Sequence, residues 1–141
     1  MMFGIKTKII CTAAVLSFAI FSACSLFGKR TSNEADVKAA MKVIGEYHQL
    51  ISAEQYDDAY RLSTDSRNPV PGVREKLIQR FRNLRQQFGV EVSSSLVSSD
   101  PRQEVSGRKV LLRYETKYAK GSQNEEFDVA IHDGIAYIEF K

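Results

Sequence analysis

Gly89 divides the chain into two stretches of different hydrophobic period. Before it, apolar residues recur every three or four positions, and after it they alternate. A helix brings every third or fourth side chain to one face, whereas a strand brings every second. Neither pattern can bury its apolar side in the other conformation. The chain is therefore committed to helices first and strands after. That order is the α+β class, with three N-terminal helices packed on one face of a four-stranded antiparallel sheet.

In the first stretch, Val37, Ala40, Met41, Ile44, Tyr47, His48 and Ile51 mark an amphipathic helix. Thr31 and Glu34 form a capping box ahead of it, and Ser52 and Gln55 form a second before Tyr56, Ala59, Tyr60 and Leu62. Residues 63–72 read as a loop, because Pro69 and Pro71 exclude a helix interior. A third helix places Val73, Leu77, Phe81, Leu84 and Phe88 on one face, with Gly89 at its C-cap. In the second stretch, residues 90–98 form a candidate strand, and Asp100-Pro101 opens a loop that runs to Gly107. Val110, Leu112, Tyr114, Thr116 and Tyr118 share one face of a long strand, which turns at Lys120-Gly121-Ser122. Phe127, Val129 and Ile131 share a face of the next strand. Asp133-Gly134 is a two-residue hairpin signal, and Ala136, Ile138 and Phe140 complete the last strand.

The first residues carry a different message. Lys6 and Lys8 precede an apolar run over residues 9–21, about 13 residues long, which suits a signal-peptide core and falls short of a bilayer span. The run ends in Phe21-Ser22-Ala23-Cys24, which resembles the lipobox of bacterial lipoproteins. The resemblance implies cleavage before Cys24, acylation of Cys24 and a membrane anchor. Ser25, where an Asp would retain the protein at the inner membrane, implies the outer membrane and a periplasm-facing domain. Two alternatives stay open. Ordinary secretion would cut after Ala23, with bulky Phe21 at minus three. An uncleaved anchor would stretch over residues 9–27. The chain thus divides into a signal peptide (1–23), a lipidated Cys with a polar tether (24–33) and an α+β domain (34–141).

Composition excludes several function classes. With two Cys, two His and no Trp, the 141 residues supply neither a disulfide scaffold nor a Cys/His metal cluster. Loss of Lys6 and Lys8 with the signal would take two of 20 basic residues and none of the 17 acidic ones, so the net charge would fall from +3 to +1. That balance excludes a dedicated nucleic-acid binder. No phosphate loop, HExxH motif or nucleophile elbow is present, and no cofactor is implied.

Ala53-Glu54-Gln55-Tyr56-Asp57-Asp58-Ala59-Tyr60, the block from Lys109 to Ile131, and the ending Asp133-Gly134-Ile135-Ala136-Tyr137 resemble a family of bacterial secreted proteins and lipoproteins. That family has a short nuclear-transport-factor-like (cystatin-like) cone. The resemblance spans roughly residues 38–141 and implies a fold that can enclose an apolar pocket. It brings no catalytic motif with it. Tyr47, Tyr60, Tyr114, Tyr118 and Tyr137 are the candidate pocket residues, although plain core packing explains them as well. His48 is expected at a helix boundary and His132 beside a turn. Glu126 and Asp128 are expected opposite Arg113 and Lys117 as cross-strand ion pairs. Isomerases of this superfold pair an Asp base with a Tyr-and-acid oxyanion hole, and no Asp-Tyr pair here matches that pattern. Arg74, Lys76, Arg80, Arg82 and Arg85 make the third helix the most polarised surface, a candidate for an anionic partner. The expected function is a lipid-anchored, non-catalytic module that binds an envelope protein or a small apolar ligand. An isomerase- or cyclase-type enzyme and a structural accessory subunit are the alternatives.

Overall fold

The alternation after Gly89 builds a sheet of four antiparallel strands in sequence order: β1 (Glu91–Glu104), β2 (Gly107–Tyr118), β3 (Gly121–His132) and β4 (Ile135–Glu139). Three α-helices precede it: α1 (Leu16–Ser52), α2 (Tyr56–Arg61) and α3 (Val73–Phe88), with a 3-10 turn at Thr64–Ser66. The computed structural model describes the backbone of residues 16–141 and side chains from Asn33 onward. Most of the expected signal peptide, and the side chain of Cys24, lie outside the described residues. Residues Glu34–Lys141 form one compact unit, and helices pack on one face of its antiparallel sheet.

The inward face of β2 carries Val110, Leu112, Tyr114, Thr116 and Tyr118, all buried. Phe127, Val129 and Ile131 on β3 and Ile138 on β4 continue it. Ala40, Ile44, Tyr47 and Ile51 of α1, with Leu77 and Phe81 of α3, close the core from the helix side. Aromatic rings fill its centre. Tyr47 lies 5.6 Å from Phe81, 5.7 Å from Phe127 and 5.5 Å from Phe140, centroid to centroid. Those spacings suit edge-to-face attraction added to area burial.

The Asp133-Gly134 turn has positive φ at both residues (52° and 79°), which is the geometry that twists two strands back on each other. Gly89 ends α3 with φ 81°, and a Cβ there would stand 3.1 Å from Ala119 Cβ.

Three expectations need correction. Asp100-Pro101 does not open a loop: β1 runs through it, with Asp100 opposite Leu111 and Pro101 opposite Val110. The missing Pro N–H is tolerated because β1 is an edge strand. The turn falls instead at Val105 and Ser106. The helical backbone of α1 runs upstream of Thr31, so the first capping box does not start it. The second box is also unused. Gln55, not Ser52, is the N-cap of α2, without a side-chain cap, and Ser52 Oγ accepts from the Glu91 N–H at 3.4 Å.

Candidate functional site

Four elements bring ionisable groups to one buried point. His48 follows Ile44 by one turn of α1 and is only 5% exposed. It is therefore not a boundary residue. Glu91 opens β1, opposite Tyr118 in the β1–β2 register. Thr116 and Tyr118 hold inward positions of β2, and Glu125 holds the inward position of β3 one step before Phe127. The imidazole lies between the two carboxylates. Nδ1 is 3.1 Å from Glu91 Oε2, and Nε2 is 3.2 Å from Glu125 Oε2. The second contact is close but off the N–H axis, so Nε2 makes no aligned hydrogen bond there. Thr116 Oγ1 and Tyr118 Oη each donate to Glu125, both at 2.6 Å. Tyr47, Tyr114 and Phe127 surround the imidazole, 5.6–6.1 Å away by ring centroid.

The electrostatics follow from those contacts. Burial alone would raise the Glu125 pKa, but His48, Thr116 and Tyr118 outweigh it and hold the carboxyl below its ordinary value. Burial, followed by the nearby Glu125 charge, pushes the Tyr47 hydroxyl well above its usual range. Tyr118 is raised in the same way, with its bond to Glu125 adding to the effect. At neutral pH the cluster therefore holds an ionised carboxylate and two neutral tyrosines, of which Tyr118 donates to it. Such a carboxylate, with its acceptor sites already engaged, is a weak base and a poor acid. The two glutamates flank opposite ring nitrogens and so cannot converge on one ion. Among the described residues no group of three or more His, Cys, Asp or Glu is placed to hold a metal.

The candidate tyrosines do not share one site. Tyr47, Tyr60, Tyr114 and Tyr118 are buried. Tyr60 Oη donates to the Asp65 carbonyl at 3.1 Å. Tyr137 lies in the alternate phase of β4 to buried Ile138, with the Arg67 guanidinium 4.8 Å over its ring. Tyr47 also borders a cleft of about 340 Å³, together with Arg80, Leu84 and Phe88 of α3 and with Glu125 and Phe127 of β3.

The basic residues of α3 separate too. Arg74 pairs with Asp57 and, at 3.5 Å, with Glu75. Arg80 donates to the Lys141 carbonyl. Lys76 is exposed. Arg82 and Arg85 turn instead towards Tyr56 and Glu54, at 5.8 Å (guanidinium to ring) and 3.7 Å. Of the expected cross-strand pairs, Arg113–Glu126 forms at 2.8 Å, while Asp128 pairs with Lys141. Lys117 stands opposite Ser122.

Sequence reading missed the Glu91–His48–Glu125 cluster. One signal was available: Glu125 is in phase with Phe127, Val129 and Ile131, so the alternation places it inward.

Fold and site define a small α+β domain whose helix layer meets its sheet at a buried imidazole flanked by two partly buried carboxylates. Comparison with protein-family models finds no match, and comparison with curated proteins finds none either.

Proposed function

We propose that this chain is a bacterial envelope lipoprotein, anchored in the outer membrane through acylated Cys24 and facing the periplasm. Its domain would be a short nuclear-transport-factor-like cone that works as a non-catalytic binding module. The helix–helix–helix–sheet order supports the cone assignment. The non-catalytic reading is supported by the aromatic rings packed around Tyr47 and by the two internal donors, Thr116 and Tyr118, that engage Glu125 where it borders the cleft.

The observation that carries the binding reading is β1. Every residue from Val92 to Val97 is exposed, with Val92 at 69% and Val97 at 65%. These two valines are the extra residues at the two irregularities in the β1–β2 register. Monomeric proteins usually blunt such an edge with charge, and here the stretch offers Val92, Leu96 and Val97 among serines. The partner chemistry that suits it is an extended segment of an envelope protein, pairing along the edge and packing apolar side chains on those residues.

Two measurements test this. Intact mass of the full chain from native membranes should show acyl chains on a polypeptide starting at Cys24, lost in Cys24→Ala; an unacylated mass overturns the anchor. A photo-crosslinking residue at Val97 should give one discrete protein adduct in cells, abolished by Leu96→Lys. Adducts that persist in Leu96→Lys, or none at Val92, Leu96 or Val97, overturn the edge reading.

A further inference from the structure

The geometry points to a phosphate-binding cleft between α2, α3 and the β2–β3 turn. It deepens the binding-module reading by naming a ligand chemistry for a separate surface. Arg82, Arg85 and Gln86 stand at helical spacing on one face of α3 and border a cleft of about 380 Å³ with Glu54, Tyr56 and Lys120. Three cations thus face one carboxylate. Lys120 is fixed at the rim, because its Nζ donates to the Gln86 carbonyl at 3.0 Å. The same bond offsets the negative C-terminal end of α3, which would otherwise repel an anion. The Gly89 N–H engages the Arg85 carbonyl at 2.9 Å with the same effect.

Arg85 is the second, independent observation. Its side chain is 25% exposed, and its Nε is buried with no hydrogen-bond acceptor. Its contact with Glu54, at 3.7 Å, is too long for a hydrogen bond. That Nε is shut off from solvent, so a ligand in the cleft would meet the guanidinium at its Nη groups, whose ion-pair contact is with Glu54 at 3.7 Å. A tetrahedral phosphate offers several oxygens and suits the Arg fork. Arg82, held 5.8 Å over the Tyr56 ring, would supply a second fork, and Lys120 a point charge. Glu54 is mostly exposed, in a turn with φ 61°, and would compete for Arg85 and weaken the site. A phosphate monoester in solution and a phosphodiester headgroup of a lipid share the chemistry that this cleft would recognise.

The test uses the full chain in a maltoside detergent, free of phosphate. Inorganic phosphate and glycerophosphoglycerol, the soluble headgroup of phosphatidylglycerol, are titrated while the arginine Nε–Hε signals are followed by NMR. We expect saturable movement of the Arg85 signal. Arg82→Gln should lose about tenfold in affinity, Glu54→Gln should gain about threefold, and Lys76→Gln, on the same helix outside the cleft, should bind as wild type. Arg85→Gln should abolish the response of the remaining Arg82 signal. Tighter binding of the diester assigns the site to lipid headgroups, and tighter binding of phosphate assigns it to soluble phosphates. A response that fails to saturate, that sodium chloride reproduces, or that Lys76→Gln weakens as much as Arg82→Gln would overturn the site. The edge reading fails separately, since crosslinking at Val97 reports on β1 and the titration on Arg85.

Discussion

Glu125 keeps a charge at the edge of the core, where three side chains from two other elements point at it. Replacing the carboxylate by an amide leaves one acceptor oxygen for the Thr116 and Tyr118 donors and turns an NH2 towards the other, and breaking a buried polar pair costs far more than such a pair contributes when intact. Glu125→Gln should destabilise the domain by about 3 kcal/mol in urea unfolding. Tyr118→Phe, which removes one donor and keeps the ring, should cost about 1.5 kcal/mol. The pH dependence has a definite sign. The folded-state pKa is depressed, so this contribution is fully present above the unfolded carboxylate value and is lost as pH falls through the folded one. An acid titration of stability should therefore be shallower in Glu125→Gln than in wild type below the ordinary carboxylate range. Equal slopes would show that Glu125 is not the titrating group.

Elements differ in how much of their geometry is local. Gly89 is specified locally as the residue that ends α3 with a positive φ, while its close approach to Ala119 is long-range. Gly89→Ala should cost about 2 kcal/mol, from backbone strain and from displacement of the β2–β3 turn, measured by urea unfolding. The α3 stripe and the Asp133-Gly134 hairpin were legible for the same reason: the residues that make them are adjacent in sequence. β1 was not. Asp-Pro reads as a breaker unless the strand lies at a sheet edge, and edge position is a property of the whole topology. Ser52 likewise shows capping chemistry, but its hydroxyl meets the Glu91 N–H, 39 residues away in sequence. The candidate site divides along the same line. The inward phase of Glu125 can be read from alternation. The placement of His48 between two glutamates depends on how α1 docks on the sheet, which no local pattern records. Asp36 is a parallel case: a buried acid on α1 met by Arg108 of β2 at 3.2 Å.

Across the molecule, stability and recognition draw on different residues. Phe81 is 1% exposed and touches both Tyr47 and Phe140, so it joins α3 to α1 and to the chain after β4. Its truncation would leave a cavity in an aromatic cluster that relaxes only partly around it. Phe81→Ala should lower stability by about 3–5 kcal/mol. A domain of this size has little margin beyond that, so much of the variant would be unfolded at 37 °C. Val97, on the open edge strand, stands in the opposite position. Its side chain is mostly solvated and sits at a register irregularity, so Val97→Ser should change stability by no more than about 0.5 kcal/mol. If β1 is the docking edge, that same substitution should weaken partner capture by a crosslinker placed at Leu96. The two variants together make a discriminating pair, read by thermal unfolding beside crosslinking yield. A separated response, with Tm lost only in Phe81→Ala and yield lost at full stability in Val97→Ser, would establish β1 as a surface kept for a partner. A fall in Tm for Val97→Ser would instead make the edge part of the fold's own packing.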